Sequence, residues 1–403
     1  MTYLPVRQTK FGFEDGPCMK IGVFGSGLMG SAIARDLVKS KSVDQVAVFD
    51  IDRRALDSLA RAGPSEKLSV NRHDVTHGSE TVRLLRKFDV GVGALPHGLS
   101  EYAIQSALQA GVSFVDLIFG WRFGQSRINS AAKKKGITIV PACGLAPGLT
   151  NILAMDAVER MDSVDEVHIK VGGIPERPRP PLNYRIVFSF EAVLEEYIRK
   201  AKIVKNGKLT EAEALSGLET INFPQPIGKL ECFYTDGLST LTETIRNVKE
   251  MDEKTIRWPG HAAQIRTLIE CGLLEVHPVH VNGQRIVPRE FVSKVVSERI
   301  RLEKEKDLTV LRVDVTGKRE GRRVRHRYQM VDHYDSELKL TSMARTTAFP
   351  CSVAAQMLGE GLIHKRGLVP PELAFDKALR GTFMKQLRGR GIRITSTCNS
   401  GRY

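Results

Sequence analysis

The 403 residues contain no run of about 18 apolar residues, and the first 18 lack the apolar stretch of a signal peptide. No membrane partner is expected, and a cytoplasmic protein is the reading. No zinc-finger, RNA-recognition or aromatic-interleaved basic motif is present either, so no nucleic-acid partner is expected. The six cysteines, Cys18, Cys143, Cys232, Cys271, Cys351 and Cys398, include no CxxC pair. That dispersal excludes a zinc ribbon and a disulfide scaffold, and it fits reduced, mostly buried thiols. His277 and His280 flank Pro278, which keeps the two imidazoles off one helix face, so no metal site is expected. Repeats and low-complexity segments are missing too.

What is present suits two folded domains with an ordinary core: 42% apolar and 26% charged residues over this length. The formal charge of +14 is the one unusual figure, and it is localised. Residues 317–327 carry six Lys or Arg against one Glu, and residues 376–403 carry seven against one Asp. Both read as solvated places, a hairpin tip and a terminus, where like charges cost little.

From Lys20 the chain reads KIGVFGSGLMGSAIARDL, an apolar strand running into G-x-G-x-x-G and then a helical stretch. Gly25 permits the tight turn, Gly27 a close approach of pyrophosphate, and Gly30 close packing of helix on strand. Ser26, Leu28 and Met29 complete the loop, whose helix-start amides and dipole favour an anion. Asp50 ends the next strand, 20 residues after Gly30, where a carboxylate accepts ribose hydroxyls. NAD is therefore expected over NADP, with Arg53 and Arg54 just beyond as the alternative grip on a 2′-phosphate. Further strands at 68–70, 89–94, 114–116 and 137–140 alternate with helical stretches, making a doubly wound Rossmann sheet. Ligands bind at the carboxyl ends of such strands. Asp74, Val75, Ala94, Leu95, Pro96, His97, Asp116, Ala146 and Pro147 are the candidates there.

After Gly148 the regular alternation stops, and a second, α+β domain with an antiparallel sheet is expected from Asn151. Lys205-Asn206-Gly207-Lys208 is a hairpin signal, residues 309–315 and 324–331 flank a long tip at 317–323, and 343–358 reads as a helix with Pro350 in its first turn. The expected division is an extension at 1–18, a Rossmann domain at 19–150, a substrate and dimerisation domain at 151–343, and a C-terminal return at 344–403. Polar clusters in this half supply Tyr184, Asp236, Thr240, His261, Arg345 and Thr346 as substrate candidates. Asp236 and His261 have capping as their plain alternative, and Arg345 has burial as a structural cation.

The ordered blocks GSGLMG, CGLAPGLTNIL, KVGGIPERPRPPLNYRIVFS, FYTDGLSTLTET, KTIRWPGH and MARTTAFPCSVAAQML resemble the saccharopine dehydrogenase family, specifically its lysine 6-dehydrogenase branch, over about Met19 to Ile394. The resemblance implies a second domain closing over the nicotinamide, and NAD-dependent oxidative deamination of the ε-amine of L-lysine to the semialdehyde and ammonia. A small amino-acid substrate and a homodimer or higher homo-oligomer are expected. Such chemistry demands a cation for the α-carboxylate, assigned to Arg345 with Thr346, and a carboxylate for an amino group, assigned to Asp236. Tyr184 and His261 complete the polar wall. For the proton acceptor, Asp116 and His261 rank ahead of His97. Two alternatives stay open. One is saccharopine dehydrogenase or a related opine- or polyamine-forming reductase, which would need converging cations such as Arg185, Arg257 and Arg345. The other is a non-catalytic NAD-binding sensor or scaffold.

Overall fold

The structure, a computed structural model, describes residues 19–118, 124–187, 190–302 and 306–400; the expected extension at 1–18, with Cys18, lies outside them. Strands β1 (Met19–Phe24), β2 (Val43–Asp50), β3 (Leu68–Arg72), β4 (Val90–Gly93), β5 (Ser113–Asp116) and β6 (Thr138–Val140) form a parallel sheet in the order β3-β2-β1-β4-β5-β6. Helices Leu28–Leu37, Arg53–Ala62, Gly78–Leu85, His97–Ala110 and Gln125–Lys135 connect them. Covered on both faces, the central strands are apolar nearly throughout, with Ile21, Val23, Val46, Val48 and Val92 fully buried. In β4 the sequence VGVG makes room for its neighbour. A Cβ on Gly91 would stand 2.4 Å from the Phe114 ring, and one on Gly93 would stand 2.6 Å from the Asp116 carboxylate.

The second sheet has nine strands. In chain order they include β7 (Ser163–Pro175), β8 (Ala201–Lys205), β9 (Lys208–Ala212), β10 (Glu219–Asn222), β11 (Lys229–Tyr234) and β12 (Glu250–Arg257). A separate small hairpin follows, β13 (Val279–Val281) with β14 (Gln284–Ile286). Then β15 (Asp307–Arg319), β16 (Arg322–His333) and, after β17 (Gly367–Leu368), β18 (Ile394–Ser400) complete the large sheet in the order β10-β11-β12-β7-β15-β16-β18, with β8 and β9 beside β12. It is mixed rather than purely antiparallel, because β7 and β12 run parallel.

Both hairpin expectations meet a two-residue turn. Asn206 and Gly207 take φ of 52° and 74° between β8 and β9. Glu320 and Gly321 take 52° and 73° between β15 and β16, so pairing runs to Arg319 and Arg322 and the expected long tip at 317–323 does not exist. Positive φ at both central residues matches the strand twist.

Helix Ser342–Gly359 packs against Leu28–Leu37, and Pro350 lies in its middle, not its first turn. Its start is fixed by the Thr341 hydroxyl, which accepts from the Ala344 amide, and by Asp307, which accepts from the amides of Ser342 and Met343. Asp36 on the first helix accepts from Ser352 Oγ at 2.6 Å and from Arg390 Nε at 2.8 Å. The chain then adds β17 to the first sheet, beside β6, and β18 to the second, beside β16. The C-terminal segment therefore completes both sheets.

Candidate active site

The glycine loop is built as its spacing requires. Gly25 has φ +104°, and a Cβ there would lie 2.3 Å from the Ala94 carbonyl oxygen. A Cβ on Gly30 would lie 2.0 Å from the Gly25 carbonyl oxygen, so the helix can approach the strand only without one. Gly27 caps the helix, and a Cβ there would have no atom within 4 Å: the space over the helix start is open. That open cradle, bordered by Ser26, Leu28 and Met29, fits a dinucleotide pyrophosphate. Ala94 and Leu95 wall the Gly25 turn.

Asp50 reaches back to this loop. Its Oδ2 accepts from the Ser26 amide at 2.5 Å and hydroxyl at 2.9 Å, and its Oδ1 accepts from the Asp52 amide at 2.9 Å. A carboxylate offers about four acceptor positions, so capacity for a ribose hydroxyl remains. Of the neighbouring cations, Arg53 pairs with Asp57 at 3.0 Å, Arg72 donates to the Ile51 carbonyl, and Arg54 is exposed. Asp74 is half-buried and closes its own turn on Thr76, while Val75 is buried in the core. Pro96 is exposed at the start of helix His97–Ala110, and Ala146 and Pro147 are half-buried in a loop tied to itself by the Gly144 amide donating to the Pro147 carbonyl.

Asp116 is fully buried. Ser100 Oγ donates to it at 2.5 Å and the Ile118 amide at 2.7 Å, and burial pushes its carboxyl up to about 7 despite those bonds. It thereby anchors the first turn of the helix that begins at His97. His97 itself is exposed, its imidazole held below its ordinary value by partial burial and by the Arg199 charge.

Arg199 Nε in turn stands 3.1 Å from Asp236 Oδ2. Gly237 follows, and the Glu253 carboxylate packs directly on it, where a Cβ would lie 2.0 Å from Oε1. Glu253 is buried, and burial first, then the charges of Glu196, Asp236 and Asp252, push it up to about 8. Behind these lies a closed network. Arg257 Nε donates to Tyr197 Oη at 2.8 Å; Tyr197 Oη pairs with His261 Nε2 at 2.9 Å; His261 Nδ1 pairs with the Leu182 carbonyl at 2.7 Å. The carbonyl can only accept, so Nδ1 carries the hydrogen and Nε2 accepts from the tyrosine. The Arg257 guanidinium stacks 4.9 Å from the Tyr184 ring.

This geometry reorders the sequence candidates. His97 feels the charge of Arg199, the partner of Asp236. His261 is buried with both nitrogens engaged, and burial followed by the Arg257 charge lowers it to about 3, so it is a neutral core histidine, not a proton acceptor. Tyr184 is likewise buried, as backing for Arg257. Arg345 is instead engaged by Asp335 at 3.2 Å and Asp332 at 3.7 Å, and Thr346 donates to the Ser342 carbonyl at 2.8 Å, so both are tied into the fold. Thr240 donates to the buried Glu372 at 2.6 Å and borders a cavity of about 210 Å³ shared with Gln125, Pro141 and Pro370. Among the described residues no cluster of three His, Cys, Asp or Glu could hold a metal, and no helix is long and apolar enough to cross a membrane. Sequence reading missed Glu253, Glu196, Tyr197 and Ser100; the charged run Asp252-Glu253-Lys254 inside a strand was the available signal.

Comparisons with known proteins give the same architecture. The family model described as Saccharopine dehydrogenase NADP binding domain matches residues 21–140, and that described as Saccharopine dehydrogenase C-terminal domain matches 144–392. A carboxyaminopropylagmatine dehydrogenase of Synechocystis is 22% identical, over 87% of this chain and 91% of its own. The mitochondrial alpha-aminoadipic semialdehyde synthase of Rattus norvegicus is 20% identical over 93% of this chain, which spans about half (47%) of that longer relative. Among solved structures, apo saccharopine dehydrogenase (L-Glu forming) from Saccharomyces cerevisiae superposes with a TM-score of 0.79 at 19% identity, covering 94% of this chain and 100% of that one.

Proposed function

The chain belongs to the saccharopine dehydrogenase family, and from that premise we propose that it is a nicotinamide-dinucleotide-linked dehydrogenase acting on a carbon–nitrogen bond of an amino-acid-derived amine, with the ε-amine of L-lysine as its specific substrate and NAD as the preferred form. The observation that carries this reading is the glycine loop, whose cradle at Gly27 is open, whose Ser26 amide is held by Asp50 at 2.5 Å, and whose Gly25 turn is walled by Ala94, three residues before the helix that His97 opens. A bound dinucleotide supplies the hydride acceptor. The cradle at Gly27 and the spare acceptor position of Asp50 are the parts of this chain that would hold it.

Oxidising an amine carbon requires the amine in its neutral form and a group that takes up a proton. His97 is the exposed titratable group on the dinucleotide side and takes that role, replacing Asp116 and His261. Asp116 is a positioning residue: through Ser100 it fixes the helix end that carries His97. Asp236 receives an amino group of the substrate. NADH formation assayed across lysine, ornithine, saccharopine and short diamines, and repeated with NADP, tests the reading. Lysine should give the highest kcat/KM with NAD; no turnover of any amine would overturn the dehydrogenase reading, and better use of NADP would overturn the cofactor preference.

A second reading is oxidation of a secondary amine, as the names of the relatives suggest. Saccharopine itself, with three carboxylates, fits poorly: Arg345 is held by Asp332 and Asp335, and Arg185 donates to the carbonyls of Arg179, Pro180 and Tyr184. An amine-rich conjugate fits better.

A further inference from the structure

Three carboxylates gather around Gly237: Asp236, Glu196 and Glu253. Asp236 has a side chain 21% exposed and is held at the rim by Arg199, itself 53% exposed. Glu196 has a side chain 32% exposed and lies 4.0 Å from Arg257 Nη2. Glu253 is only 5% exposed, and its Oε2 has no hydrogen-bond partner. Among the described residues no lysine or arginine pairs with Glu253. A carboxylate so enclosed is costly unless it keeps its proton or meets a cation. Burial and the neighbouring Glu196, Asp236 and Asp252 all favour the protonated form, which leaves the group ready to ionise when positive charge arrives. With Arg199 and Arg257 as the facing guanidiniums, the ionised cluster carries one excess negative charge.

We propose that Glu253, together with Asp236 and Glu196, receives a second cationic group of the substrate, an ammonium or guanidinium separate from the reacting amine, so that the enzyme selects amine-rich substrates over polycarboxylates. This deepens the reading of the same site given above and rests on it for the identity of the reacting amine. Gly237 makes the arrangement possible, since any side chain there would displace the Glu253 carboxylate.

The test compares 1,5-diaminopentane with pentylamine, which differ in the second ammonium alone, by calorimetric titration of the full-length protein with saturating NAD at neutral pH. The diamine should bind at least tenfold more tightly. In Glu253→Gln combined with Asp236→Asn that preference should collapse to within about twofold, with no fall in thermal stability, because glutamine replaces a protonated glutamate in shape. Should the double variant fail to fold, Asp236→Asn alone, at the rim, should still cut the preference at least threefold. Equal binding of the two amines by the wild type, or a preference that survives in the folded variants, would overturn the proposal. The measurement needs no turnover: an intact diamine preference with no NAD(P)H formed from any amine would sink the dehydrogenase reading and leave this one standing.

Discussion

At the scale of single residues, access to water separates the candidate groups. Asp116 is sealed, and its carboxyl titrates near 7 instead of near the ordinary 3.8. Between those values the folded chain holds a proton that the unfolded chain has released, so this residue makes stability fall as pH rises through that window. Asp116→Asn should flatten the difference in denaturation midpoint between about pH 4 and pH 8; an unchanged difference would show that Asp116 is not the source. For His97 and His261 the expectations are opposite. His97→Gln should cost about 10²-fold in kcat/KM with little change in Tm. His261→Ala should lower stability by about 1–3 kcal/mol, by stranding Tyr197 Oη and the Leu182 carbonyl, and should leave the pH profile of the remaining activity unshifted. Sequence could not separate the two histidines: each opens a helix, and only the packing of Tyr184 and Tyr197 around His261 tells them apart.

Among elements, the glycine loop offers a matched pair of changes. Gly27→Ala meets open space, so the fold should hold while dinucleotide affinity drops about tenfold or more; Gly30→Ala meets the Gly25 carbonyl and should lower Tm. Nucleotide fluorescence titration beside thermal melts checks both, and a Gly27→Ala protein that binds as well as wild type would show that the phosphate sits elsewhere. This element was legible because each glycine answers a separate local constraint. The strand β12 was not. Nothing local marks Asp252-Glu253-Lys254 as buried: alternation sends Glu253 to one face and its neighbours to the other, and both faces are covered by parts of the chain far away in sequence. Helix Ser342–Gly359 was foreseen, but Arg345 was misread because nothing local says that Asp332 and Asp335, on the preceding strand and its exit, would hold it.

For the molecule as a whole, the two basic segments prove to be part of the framework. Arg327 pairs with Asp314 at 2.7 Å, Arg323 with Glu166 at 3.5 Å, Arg380 with Glu159, and Arg390 with Asp36. Four of the thirteen basic side chains in these segments therefore pair with acids from elsewhere in the fold, while the net charge of +14 stands. Arg345→Met tests how far such pairs matter: leaving Asp332 and Asp335 without their buried cation should cost about 3–5 kcal/mol, read as a lower urea midpoint. A midpoint equal to wild type would mean that the aspartates simply take up protons.

The completion of both sheets by the last forty residues sets an order of events during synthesis. Strand β6 waits at an open edge until β17 is made more than two hundred residues later, roughly 10 to 50 s at 5–20 residues per second. Strand β16 waits similarly for β18. A ribosome stalled between residues 333 and 367 would thus hold a chain in which β6 and β16 both lack these partners, the kind of strand edge that invites wrong pairing. The same late closure means that a chain ending before β17 would keep its nucleotide fingerprint while leaving the β6 and β16 edges without these partners.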